Sequence, residues 1–141
     1  MLSRIANVVP YVAFLVALFF VELQLFGVED ALLGVIFQSF ARTMVESAGL
    51  SFANYAKHAA LFLIMSLCSS VAGLHPLLLV FGSAVYMFCI TLLNSDDYLP
   101  RNFFMLGLGF LLLEIYPISV DEIPMRMVAT LFAVACTTAF I

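Results

Sequence analysis

The sequence predicts an all-α, polytopic transmembrane helical bundle of about six spans, with both termini cytoplasmic. Three observations predict it. Hydrophobic residues make up 65% of the chain and charged residues only 10%, where soluble domains carry about a quarter. The apolar residues fall into six runs, several near the ~20 residues that a helix needs to cross a bilayer. Lysine and arginine are distributed unequally between the two sides that such a bundle would have. The whole chain, residues 1–141, reads as one transmembrane domain.

The first run, 5–26, follows Arg4. It is too long for the apolar core of a signal peptide, and no small-x-small cleavage site closes it, so it reads as a retained anchor. The second run, 30–45, is more polar, and the third covers 55–74. The fourth is 76–93, the fifth 102–116 and the sixth 123–141. The second and fifth are short, which leaves them tilted, re-entrant or partly outside the membrane. The links carry breaker residues: Gly27 with Glu29 and Asp30, Gly49, Gly73 to Pro76, Asn94 to Pro100, and Pro117 to Pro124. Barrel strands do not fit, because the runs are too long and do not alternate. Helices satisfy their own backbone hydrogen bonds in lipid.

Six spans place Arg4, Arg42, Lys57 and Arg101 on the side of the termini and only Arg126 on the other. Basic residues accumulate in cytoplasmic loops, so the termini are assigned to the cytoplasm and the chain to the inner membrane as a multi-pass protein. Glu29, Asp30, Asp121 and Glu122 then fall outside. The net charge of −4 comes from such links, and no basic patch suits nucleic acid. Cys68, Cys89 and Cys136 lie within apolar runs, where cysteine packs as a small apolar side chain. No CxxC or Cys/His cluster calls for a metal or cofactor. No GxSxG, HExxH or glycine-rich phosphate loop points to an enzyme. The last run ends on Ile141 itself, which suggests the membrane half of a longer chain.

Polar groups within spans are the first candidates for function, since burying them in lipid costs several kcal/mol without partners. Asp30, Gly34, Gln38, Arg42 and Glu46 recur every four residues on the second run. They form a polar stripe about 24 Å long. It either lines a solute pathway or packs inside the bundle, and Arg42 with Glu46 also suits an interfacial pair. Ser66, Ser69, Ser70 and Gly73 make a small-residue stripe on the third run that fits close helix packing. Gly82 and Tyr86 on the fourth and Gly107 on the fifth are candidate facing surfaces. Lys57 suits a boundary charge whose stem snorkels. His58 is either a proton-relay group or an interfacial residue. Glu22 and Glu114 lie near the outer ends of their runs, level with Arg126, and the expectation is that Arg126 pairs with one of them.

The order of these features resembles the six-helix membrane unit of the fusaric acid resistance and aromatic acid exporter families. The likeness rests on the stretch "HAALFLIMSLCSSVAGLHPLLLVFGSAVYMF", the short link "NSDDYLPRNFF" and the arginine-headed "PMRMVATLFAVACTTAFI". It covers most of the chain as a pattern. Lys57-His58-Ala59-Ala60 stands where family members carry an R-x-x-G-T-type stretch, and no glycine follows Arg126. The resemblance implies proton-driven efflux of small organic acids. It also implies a large cytoplasmic domain and often a second six-helix half. Transport needing a second copy or that second half is therefore the leading expectation. A non-transporting subunit or scaffold of a cell-envelope complex is the alternative, and a holin-like pore is a third.

Overall fold

The computed structural model describes residues 2–48, 51–93 and 100–141, and side chains over 8–45, 51–92 and 106–141. It is all-helical, with no strand among the described residues. Among the described residues six helices follow one another: α1 Leu2–Phe26, α2 Leu33–Ala48, α3 Phe52–Ala72, α4 Pro76–Leu93, α5 Pro100–Ile115 and α6 Ile123–Phe140. A 3-10 turn, Val120–Glu122, leads into α6. Gly49 and the link over 94–99 lie outside the described residues.

Local chemistry sets most boundaries. Pro76 and Pro100 each open a helix, where a missing N–H removes no intrahelical bond. Gly27 ends α1 with φ at 92°, a conformation that glycine adopts without steric cost. The Glu122 carboxylate accepts the Ser119 N–H and hydroxyl, both at 2.8 Å, and so fixes the turn before α6. The second helix differs from expectation. It begins at Leu33 rather than at residue 30, because 27–32 form the reversal from α1 and the Asp30 carbonyl accepts the Leu33 N–H at 3.0 Å. Asp30 therefore sits on a turn, not on the helix.

Pairwise contacts fix the direction of each helix. Glu22 meets Gly34 and Tyr11 meets Arg42, so α1 and α2 are antiparallel. Phe26 meets Phe132 and Phe14 meets Phe140, so α6 runs antiparallel to α1. Ser66 with Thr130 and Tyr55 with Thr138 make α3 antiparallel to α6. Ser83 with Glu114 and Met87 with Gly107 do the same for α4 and α5. The chain thus runs up and down in strict alternation. Residues 27–32, 73–75 and 116–122 gather at one end, the turn end, and the outer tips of α1 and α6 lie at the other.

The second helix is the centre, packed by α1, α3, α5 and α6. Phe37 and Phe40 are buried on it, and Phe37 lies 4.8 Å from the ring of Phe62 on α3. Tyr86 of α4 stacks on Phe110 of α5 at 4.2 Å. Two glycines allow backbones to approach. A Cβ on Gly34 would stand 2.5 Å from Glu22 Oε1, and one on Gly109 would stand 2.8 Å from Ile36 Cγ2. The exterior is apolar: Val12, Val16 and Phe20 on α1, Phe81, Val85 and Phe88 on α4, and Val128 and Leu131 on α6 are all exposed. Among the described residues, three segments are long and apolar enough to cross a membrane: Val8–Phe26, Phe52–Ala72 and Val120–Phe140. The apolar parts of α2, α4 and α5 are shorter.

Candidate functional site

The interior carries a polar seam near the turn end, built from α1, α2, α3 and α6. Its anchor is Arg126, in the first turns of α6 and fully buried. Arg126 Nε donates to Asp30 Oδ1 at 2.7 Å, and Nη2 donates to the Tyr116 carbonyl at 2.8 Å. The turn over 27–32 supplies the carboxylate and the segment after α5 supplies the carbonyl. A guanidinium buried without such partners would carry a desolvation cost of several kcal/mol. Arg126 Nη1 still has no hydrogen-bond partner.

One turn along α6, the Thr130 hydroxyl donates to the Arg126 carbonyl at 2.7 Å. Its single proton is then committed, so the Ser66 hydroxyl, 2.8 Å away, is the donor between them. The Ser66 carbonyl in turn accepts from Ser69 at 2.9 Å and Ser70 at 2.7 Å. The small-residue stripe of α3 thus joins α6 through Ser66 and satisfies its other hydroxyls locally. Gly73 rests at ordinary distance from Pro117. Gly82 faces Ala72 of α3 and Gly107 faces Met87 of α4.

On the α1 side, Glu22 is fully buried, and its Oε2 accepts the Gly34 N–H at 2.7 Å. Gly34 lies in the first turn of α2, whose amides have no intrahelical acceptor. The positive end of the helix dipole favours a carboxylate there. Glu22 thereby caps a helix to which it does not belong. The same contact explains the glycine, since Glu22 Oε1 and Leu18 fill the space a side chain would take. Glu22 Oε1 has no partner, nor has Gln38 Oε1, and both are buried.

The expected pairing of Arg126 with Glu22 or Glu114 is corrected by this geometry. The partner is Asp30. Glu22 takes the Gly34 amide, and Glu114 accepts the Ser83 hydroxyl from α4 at 2.6 Å. In a six-span layout Asp30 and Arg126 stand at one level, and a charge within the bundle needs a partner. That signal is present in the sequence, although Asp30 there also fits an external acid and the head of the polar stripe.

The stripe itself does not line one surface. At 3.6 residues per turn, a four-residue step advances about 40° around the helix. Asp30, on the turn before the helix, meets α6, while on the helix Gly34 faces α1 and Arg42, half-buried, lies over the Tyr11 ring at 4.1 Å. Gln38 is buried, and the Glu46 side chain lies outside the described residues. His58 sits apart near the opposite end and is buried. Its Nδ1 donates to the Asn54 carbonyl at 2.6 Å, its ring packs on Phe40, and its Nε2 has no partner. No group of three or more metal-ligating side chains occurs among the described residues. Three structural contributors go beyond the sequence reading: Thr130 and the Tyr116 carbonyl in the seam, and Gly109 at the α2–α5 contact outside it. Thr130 follows Arg126 by one turn on the same face and was legible; the other two depend on which helices touch.

Comparisons with family models, curated proteins and solved structures return no match.

Proposed function

We propose that the chain is a multi-pass inner-membrane protein in which all six helices cross and both termini are cytoplasmic. Its apolar exterior supports this, because exposed apolar surface on that scale is unlike a water-soluble monomer. The alternating helix directions also support six crossings. The brevity of α2, 16 residues or about 24 Å, is no obstacle, since it is enclosed by four helices and need not match the bilayer. Arg42 and Lys57 lie toward the end of the termini, as do the backbone positions of Arg4 and Arg101, while Arg126 at the turn end is buried. A reporter pair fused after Ile141 tests the orientation: fluorescent protein should glow and alkaline phosphatase should stay inactive. The reverse pattern overturns it.

Within that setting we propose transport of small organic acids out of the cell, by a unit that works with a second copy of itself or a second membrane half. The observation that carries it is the buried Asp30–Arg126 pair with Glu22 nearby. Ionisable groups inside a membrane bundle mark ion and substrate pathways. The organic-acid substrate follows from the family resemblance. Vesicles containing the purified chain and loaded with labelled benzoate should lose label faster than empty vesicles, and Arg126→Gln should abolish the difference. Equal loss from both kinds of vesicle overturns the transport reading.

One observation favours a scaffold subunit instead: Gln38 is only 1% exposed and the Gly34 face is filled, so the stripe is closed in this state. Gln38→Cys, on a background without Cys68, Cys89 and Cys136, separates the two. Labelling by a membrane-impermeant thiol reagent supports an opening pathway, and lasting protection supports the scaffold.

A further inference from the structure

The seam contains an imbalance of charge. Two buried carboxyl groups, Glu22 and Asp30, stand against one buried guanidinium, which pairs with Asp30 through Nε and leaves its Nη1 without a partner. Other basic groups are distant along the helices. Arg42 lies beside Tyr11, eleven residues and about 16 Å along α1 from Glu22. Lys57 and His58 open α3 at the far end. The remaining titratable group near Glu22 is Cys136 of α6, which brings no positive charge. The Gly34 N–H and the α2 dipole hold Glu22 Oε2, but Oε1 is fully buried and meets no donor.

A second orphan acceptor lies on α2. Helical side chains slant toward the N-terminus of their own helix. Because α1 and α2 are antiparallel, Glu22 leans toward the level of Leu18, while Gln38 leans toward that of Gly34. Gln38 follows Gly34, the residue whose amide Glu22 takes, by one helical turn, and its Oε1 is also buried without a donor. Outside them, Glu29, Asp121 and Glu122 are exposed at the turn end, where no exposed Lys or Arg occurs among the described residues. A rim of one sign concentrates counter-ions.

We propose that Glu22, with Gln38 as its second oxygen donor, binds one monovalent cation, a proton or a sodium ion, admitted from the acidic turn end. The cation completes the charge balance of the seam and occupies the free oxygen of the carboxyl that caps α2. Its release leaves Glu22 uncompensated and favours a shift of α1 that returns the carboxylate to water. This deepens the transport proposal by assigning its coupling ligand, and it rests on the membrane reading, because only a low-dielectric surround makes one unbalanced carboxylate costly.

The test uses the intact chain in lipid vesicles at neutral pH, with 13C-carboxyl glutamate for infrared spectroscopy and unfolding followed in sodium chloride against choline chloride. If the ligand is a proton, a glutamic acid carbonyl band appears, shifts with the 13C label and is lost in Glu22→Gln. If it is sodium, sodium chloride raises the unfolding temperature relative to choline chloride, and Glu22→Gln loses the increment. Absence of both signals in the wild-type protein overturns the proposal, as does persistence of either in Glu22→Gln. Should that variant not fold, the wild-type signals are compared with Glu114→Gln, which removes the glutamate that accepts the Ser83 hydroxyl between α4 and α5. Survival of the signal there supports Glu22, and its loss overturns the assignment. The orientation reporters separately test the membrane reading, so failure of binding with reporters intact condemns the site alone.

Discussion

The two ends of the bundle are held together by different physics. Toward the turn end, α1, α2, α3 and α6 meet through charge and hydroxyl groups: Asp30 on Arg126, Glu22 on the Gly34 amide, Ser66 on Thr130. Toward the other end the same helices meet mainly through rings, Phe37 with Tyr55 and Phe62, Phe40 with His58 and Phe14 with Phe140, alongside the Tyr55–Thr138 hydroxyl pair. The ring contacts are tolerant, since apolar side chains of similar volume exchange at small cost. The polar contacts are not, because each buried group depends on one named partner. A region that is costly to alter and contains unmet polar atoms is where function belongs.

The sharpest way to break this contrast is at Arg126. Arg126→Leu alone strands Asp30 and should lower unfolding stability in detergent by about 3–5 kcal/mol. Asp30→Leu combined with Arg126→Leu should regain much of that loss. A double variant as unstable as the sum of the singles would show that the pair does not act as a unit.

Glycine substitutions come next. Gly34→Ala drives a methyl against Glu22 Oε1 and Leu18, and Gly109→Ala against Ile36; each should cost about 1–3 kcal/mol. Gly73→Ala, with its nearest neighbour at 3.5 Å, serves as the tolerant control. Thermal unfolding of the three variants orders them, and a Gly73 effect equal to that of Gly34 would contradict the close approach of α1 and α2. At the aromatic end, Phe62→Leu should cost less than about 1.5 kcal/mol by the same measurement. The smallest expected effect is Ser66→Ala, near 0.6 kcal/mol, typical of one hydrogen bond between membrane helices. A loss at Ser66 larger than that at Arg126 would reverse the ranking of charge over hydroxyl.

Helix number and type were legible because composition and breaker residues are local. Proline at 76 and 100 and glycine at 27 mark boundaries with little regard to what packs beside them. The start of α2 was less legible, since the pattern of apolar residues continues into the turn. The polar stripe of α2 was visible, but its purpose was not. Four-residue spacing says that Asp30, Gly34 and Gln38 drift around a helix; it does not say which neighbour each meets. The small-residue stripe of α3 was visible too, yet its interhelical hydrogen bond runs to α6, through Thr130.

By itself the sequence determined an apolar helical chain in which breaker residues separate the apolar runs. Those are sums over residues and short spacings, and they survive any arrangement of the helices. Only the tertiary structure decided that Arg126 belongs to Asp30, that Glu22 caps α2, and that Gly34 is closed rather than open. Each of these joins residues separated by 12 or more positions. Their meeting depends on which helices are neighbours and how they are rotated, quantities set by packing of the whole bundle and not written in any single run.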